Sequence, residues 1–204
     1  MNTKLRNKVS SKVSAKIKGK ISARIIEVVK YDPRWQSAFE IEKSALAKVL
    51  GNNAVTIDHI GSTAVNGLAA KPIIDILVSV ASLNKLDASA QAIESLGYAL
   101  QGKDGIKGEN GIAGRRFFQK GGYCLISHHV HAFQAGDAHL HRHRAFRDYL
   151  IAHPLVAFEY GELKKAAAVN CYNNITVYMA LKNEFIQKHE RLALEWLFNE
   201  QTVK

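Results

Sequence analysis

The chain has 204 residues, 47% of them apolar and 23% charged, which suits one folded domain with a core of ordinary size. Its two cysteines, Cys124 and Cys171, exclude a disulfide framework and a C-x-x-C redox pair, and no apolar run approaches the ~20 residues that span a bilayer. The formal charge of +10 points to nucleic acid only until it is divided: eight of the 28 basic residues fall in residues 1–24, where no acid occurs, and the other 20 face 18 acidic residues, a net +2.

The basic extension repeats a tetrad, TKLR-NKVS-SKVS-AKIK-GKIS-ARII, that sets an apolar residue at 5, 9, 13, 17, 21 and 25. On a helix each four-residue step advances ~400°, so the stripe drifts by ~40° per tetrad, whereas a strand would alternate apolar and basic positions. The expectation is a solvated extension. A weak RNA-binding or membrane-surface arm and an acid-free targeting peptide are the alternatives. A single domain is predicted over residues 25–200, in a cytoplasmic protein with reduced thiols.

Asp32-Pro33 marks a turn, and Trp35, Phe39, Leu46 and Leu50 then follow a helical period to Gly51. AVTIDHIG, 54–61, alternates as a strand, and a short helix is predicted after Gly61. PIIDILVSV, 72–80, is apolar enough for a central strand. Residues 82–97 are predicted as a helix ending at Gly97, followed by a glycine-rich loop over 101–114. Residues 115–133 are predicted as two strands joined tightly at Gly121-Gly122, and helices over about 137–152, 154–170 and 174–199 complete the chain. The implied class is α/β (α+β): a small mixed sheet flanked by helices, with a helical C-terminal part.

The chemistry concentrates in HIGSTAVNGLAAKPIIDILV, 59–78. Gly61 lets the backbone approach a ligand, Ser62 or Thr63 can cap the following helix and hold phosphate, and Lys71 lies just ahead of the next strand. Asp75 is a lone carboxylate among Ile and Leu, costly to bury unless it is paired or bound to metal. His129 and His131 share one face of a strand and would complete a set of two imidazoles and one carboxylate. The divalent metal considered is Mg²⁺, Mn²⁺ or Zn²⁺, of which the imidazoles favour the latter two, or Fe²⁺. Either histidine can instead serve as a general base, or simply hydrogen-bond within a polar sheet face. Arg116 and Lys120 share a strand parity and would grip phosphate or protect a hairpin edge. HLHRHR, 139–144, reads as a solvated or anion-facing helix surface. Tyr178, Leu181, Phe185, Leu192 and Trp196 read as the packing face of the last helix.

YDPRW, HIGSTAVNGLAAKPIIDILV, GRRFFQKGG, HHVHAF and HRAFRDYLIAHP occur in this order, and together they resemble the GrpB-like family over about residues 25–195. That resemblance implies a nucleotidyltransferase-like fold. In that superfamily a Gly-Ser turn precedes a strand with Asp-x-Asp or Asp-x-Glu, and Gly61, Ser62 and Asp75 fill the first part of the pattern. Leu77 stands where the second acid belongs, and Asn66 where the family usually has proline. The implied activity is metal-dependent transfer of a nucleotidyl or phosphoryl group, with Asp75, His129 and His131 on the metal and Gly61, Ser62, Thr63, Lys71, Arg116 and Lys120 on phosphate. The implied partner is a nucleotide or phosphorylated small molecule. The alternative is a phosphate-binding module without catalysis, or an adaptor using its basic extension.

Overall fold

The computed structural model describes residues 25–103, 112–122 and 125–202; the basic extension, most of the glycine-rich loop and Cys124 lie outside them. Helix α1, Arg34–Leu50, begins where Asp32 accepts the Arg34 backbone N–H at 2.9 Å, and it ends at Gly51, φ 52°. Its buried stripe is Trp35, Phe39, Glu42, Leu46 and Leu50. Strand β1, Ala54–Ile60, runs into a single 3-10 turn, Ser62–Ala64, in place of the predicted helix. Strand β2, Ile74–Val80, is buried along nearly its whole length, as its apolar run requires of a central strand.

The predicted helix over 82–97 is two short ones, α2 (Leu83–Ala88) and α3 (Ala90–Ser95). They meet at Ser89, whose hydroxyl donates to the Lys85 carbonyl at 3.0 Å. Strands β3 (Tyr98–Lys103), β4 (Arg116–Lys120) and β5 (His128–Gln134) follow. The β4–β5 pair is antiparallel as expected, but seven residues join it rather than a tight Gly-Gly turn. Helices α4 (Ala138–Ala152), α5 (Pro154–Asn170) and α6 (Ile175–Thr202) form the C-terminal part.

The sheet has the order β1-β2-β5-β4-β3, with β2 and β5 parallel and every other pair antiparallel. Alternation divides the side chains of β2 cleanly. Ile74, Ile76, Val78 and Val80 join Phe39, Leu46, Leu86, Ile93, Phe118 and Val130 under α1, α2 and α3. The opposite face carries Asp75 and Leu77. Toward its β1 end, Leu77 packs with Ile60, Phe133 and Leu140 of α4. Helix α6 lies against α4 and α5 and completes the molecule on that side.

Candidate functional site

The parallel register of β2 and β5 sets Asp75 beside His129 and Leu77 beside His131. In β4, Gln119 pairs with His129 and Phe117 with His131, so five side chains of three strands look out from one patch of sheet around Asp75. His129 Nδ1 lies 3.0 Å from Asp75 Oδ1, and His131 Nε2 lies 3.9 Å from the same oxygen. Gln119 Nε2 lies 3.3 Å from His129 Nε2. Without an ion, Nδ1–H of His129 donates to Asp75 and the Gln119 amide donates to Nε2; for His129 to ligate from Nδ1 the proton moves to Nε2 and the Gln119 amide turns its oxygen to accept it. The Phe117 ring backs both histidines, with centroids 5.2 Å and 5.0 Å away.

Gly61 closes over the carboxylate. Its φ of 68° and ψ of −169° suit glycine alone, and a Cβ there would stand 2.5 Å from Asp75 Oδ2. The next residue, Ser62, accepts a hydrogen bond of 2.6 Å from Lys164 Nζ, although the two are 102 positions apart. Lys164 comes from α5 and is only 3% exposed.

Burial alone would raise the Asp75 pKa, but hydrogen bonds from His129 and His131 outweigh it and hold the carboxyl well below the usual range. Burial pushes His131 down, and pushes His143 down to about 2; the His143 ring centroid lies 5.6 Å from that of His131. The centre is therefore an ionised carboxylate with a neutral imidazole at His131, the protonation state that ligates metal.

The donor atoms of Asp75, His129 and His131 all lie within 4.8 Å of one another. A tetrahedral ion with bonds of about 2.0–2.2 Å sets its donors roughly 3.4 Å apart, so the widest pair would close by up to about 1.4 Å on binding. His131 turns Nε2 toward Asp75 and has its Nδ1 buried without a hydrogen-bond partner among the described residues. These residues fit a divalent ion, and the two imidazoles favour Zn²⁺ or Mn²⁺ over Mg²⁺.

Residues 25–191 match the family model described as GrpB protein. The chain belongs to the GrpB family. It is 42% identical over 173 residues to the UPF0157 protein YqkA of Bacillus subtilis, covering 85% of this chain and 48% of that protein, so it spans about half the length of this relative. It is 33% identical over 162 residues to the glutamate-rich protein GrpB of Alkalihalophilus pseudofirmus, covering 79% of this chain and 91% of that one. Among solved structures, the conserved protein GrpB from Enterococcus faecalis superposes with a TM-score of 0.77 at 41% identity, covering 84% of this chain and 99% of that chain.

Within this GrpB fold the expected site residues divide. Gly61, Ser62, Asp75, His129 and His131 come together. Thr63 does not face a ligand: its hydroxyl lies 3.0 Å from His59 Nε2 and donates to the Ile73 carbonyl at 3.3 Å. Arg116 and Lys120 share a parity as expected, but it is the parity of the opposite face. Arg116 pairs with Ala132 and forms a bidentate bridge of 2.8 and 3.0 Å to Asp87 on α2. Lys120 pairs with His128 and donates to Glu42 on α1 at 2.6 Å. Both are fasteners between sheet and helices, and neither belongs to the Asp75 patch.

The HLHRHR segment is likewise not a free surface. Arg142 bonds Glu190, Arg144 bonds Asp58 at 2.7 Å, and His139 stacks on Phe133 with centroids 5.3 Å apart. Leu181, expected in the packing face of α6, is 44% exposed, whereas Tyr178 is buried. Lys164 was invisible as a site residue, because GELKKAAAV reads as the middle of an amphipathic helix. Gln119 was equally hidden, having no pattern that separates it from any strand amide.

Proposed function

We propose that this GrpB-family protein transfers a nucleotidyl or phosphoryl group in a metal-dependent reaction, with a nucleotide or phosphorylated small molecule as substrate. The observation that carries the reading is the convergence of Asp75, His129 and His131 beneath a glycine that no other residue can replace without moving the carboxylate. Asp75, His129 and His131 would hold the ion, whose chemistry is to polarise a phosphoryl oxygen and offset the charge that develops there. Gln119 fixes the His129 ring, and Phe117 limits how far both rings can turn. The Gly61 backbone and the Ser62 hydroxyl present short polar contacts to a phosphate, with Lys71 on the approach to β2 supplying positive charge.

A second reading, a GrpB module that binds nucleotide without turnover, has its own support. Leu77 is fully buried among Ile60, Phe133 and Leu140, so the position of a second acid is committed to the core. Asp58 of β1 is paired directly with Leu77 of β2, and its carboxylate is already engaged by Arg144. Calorimetry with Mn²⁺ or Zn²⁺ and then with a nucleotide, on wild type, Asp75→Asn and His131→Ala, separates the readings. The transfer reading expects metal binding weakened at least tenfold in both variants, and product formed from nucleotide by wild type alone. Nucleotide binding that ignores metal and yields no product would establish the binding module instead.

A further inference from the structure

Ser62 follows β1 at the point where Gly61, φ 68°, turns the chain out of the strand and into the 3-10 turn Ser62–Ala64. Ser44, Ser89 and Ser95 turn their hydroxyls to backbone carbonyls, those of Glu40, Lys85 and Ala92. Ser62 does not. Among the described residues its hydroxyl meets Lys164 Nζ at 2.6 Å, across 102 positions of sequence. Helix α5 comes within reach because it packs closely on residues 68–69: a Cβ on Gly161 would stand 3.5 Å from Leu68 Cδ1 and 3.7 Å from Ala69 Cβ.

Lys164 is 3% exposed and makes no ion pair with a carboxylate among the described residues. As an ammonium it would have three N–H donors, one hydroxyl to accept from them, and the face of Tyr160, whose centroid lies 4.4 Å from Nζ. A cation over an aromatic ring gains about 0.5–2 kcal/mol, whereas an ion taken out of water without a counter-charge loses several kcal/mol. The neutral amine wins that comparison. Burial, reinforced by the charges of Lys182 and Lys71, accordingly drives the Lys164 pKa well below its ordinary value against the pull of Asp75. A neutral Nζ carries a lone pair, and at 2.6 Å that lone pair accepts the Ser62 O–H.

We propose that Ser62 is a nucleophile with Lys164 as its general base, and that transfer passes through a phosphoester of Ser62. The substrate class rests on the transfer reading, whereas the dyad rests on its own contact. Ser62 Oγ attacks a phosphorus of a nucleoside triphosphate. The Oγ–P bond forms as the bond to the departing nucleoside diphosphate or pyrophosphate breaks, and the Oγ proton passes to Lys164 Nζ. An acceptor hydroxyl then attacks the same phosphorus and the P–Oγ bond breaks. The Lys164 ammonium returns its proton to Oγ, and the acceptor's proton leaves to water. Gly61 packs against the Asp75 carboxylate, so the residue that follows it works beside the carboxylate site.

The full chain, with chelator present, is treated with a fluorophosphonate, whose P–F bond breaks as Oγ–P forms, and the adduct is located by peptide mass spectrometry. Ser62 is expected to carry it, and Lys164→Met should slow its formation at least about a hundredfold. Lys165→Met, at the exposed neighbour that bridges Glu162, should react at the wild-type rate. Lys164→Met puts an apolar chain in place of a buried amine, so its melting temperature should be equal or higher, which excludes misfolding as the cause. The wild-type rate tests the base without any variant: it should level off well below the ordinary lysine pKa of about 10.4. An unlabelled Ser62, a rate that still climbs through that pKa, or a Lys164→Met protein labelled as fast as wild type overturns the dyad. ATP with Mn²⁺ then replaces the fluorophosphonate. A phosphoryl or adenylyl group found on Ser62 supports the transfer step. Fluorophosphonate labelling with neither group formed from ATP keeps the dyad and overturns its use in nucleotide transfer.

Discussion

Gly61 and Gly67 lie in the same connection between β1 and β2 and both have positive φ, 68° and 78°, yet they meet different surroundings. A Cβ on Gly61 would collide with Asp75 Oδ2 at 2.5 Å, whereas one on Gly67 would meet nothing within 4 Å. Alanine at either position carries backbone strain of about 1–3 kcal/mol. Gly61→Ala must also push the carboxylate away from His129 and His131. Urea unfolding and Mn²⁺ titration of both variants should therefore give a stability loss of roughly 1–3 kcal/mol in Gly67→Ala and a larger one in Gly61→Ala, with metal affinity reduced at least tenfold in Gly61→Ala alone. Equal metal affinities would mean that Asp75 need not sit where Gly61 holds it. At this scale Lys164 makes the complementary point: its partner Ser62 is 102 residues away, and a lone lysine within a helical pattern gives no sign of that meeting.

Among the elements, Glu42 is the hinge between α1 and the far edge of the sheet. Its carboxylate accepts from Tyr98 Oη at 2.8 Å and from Lys120 Nζ at 2.6 Å, joining α1 to β3 and β4. The Tyr98 hydroxyl is pushed far above its usual pKa by burial and by this bond, so it remains a donor at any ordinary pH. Glu42→Ala leaves both donors unpaired and should cost about 2–4 kcal/mol in urea unfolding, somewhat less than a fully buried pair because Lys120 is partly exposed. Glu42→Gln keeps an acceptor for Tyr98 and should lose less. Metal binding at Asp75, on the other face, should be unchanged in both. This two-sidedness marks the limit of what the sequence discloses. The lone acid in PIIDILVSV and the shared parity of His129 and His131 are period-two facts, legible without a partner strand. Which face Arg116 and Lys120 take depends on register across the seven residues that link β4 to β5, and parity within β4 cannot supply it. The mixed sheet and the three C-terminal helices were legible because their apolar periods are long. The turn at Ser62–Ala64 and the break at Ser89 depend on local hydrogen bonds that a periodic pattern does not encode.

Over the whole molecule, buried imidazoles couple stability to pH. Burial depresses His59, His128, His131, His143 and His189, with His59 brought to about 4 and His143 to about 2. An unfolded chain takes up protons at these residues near pH 6.5, and the native chain takes them up only at lower pH. Native stability is thus complete above about pH 7 and falls as pH drops, by about 1.4 kcal/mol per pH unit for each imidazole that is protonated only in the unfolded state. Asp75 acts in the same direction but lower, because its depressed carboxyl pKa matters only below about pH 4. With total stabilities of about 5–15 kcal/mol usual for domains, several such residues are enough to unfold the protein in mild acid. His59 separates one contribution: it lies beneath α1, stacked on Phe39 with centroids 4.7 Å apart, and burial outweighs the opposing pull of the Asp75 charge on it. His59→Phe preserves the stack and loses the contact with Thr63, so it should be less stable than wild type at pH 8. Between pH 6 and 4.5, however, its urea stability measured with chelator present should fall less steeply, by about 1.4 kcal/mol per pH unit. Parallel curves for the two proteins would mean that His59 is protonated in the folded state, and that the acid sensitivity of the fold resides in the histidines around Asp75 and α6.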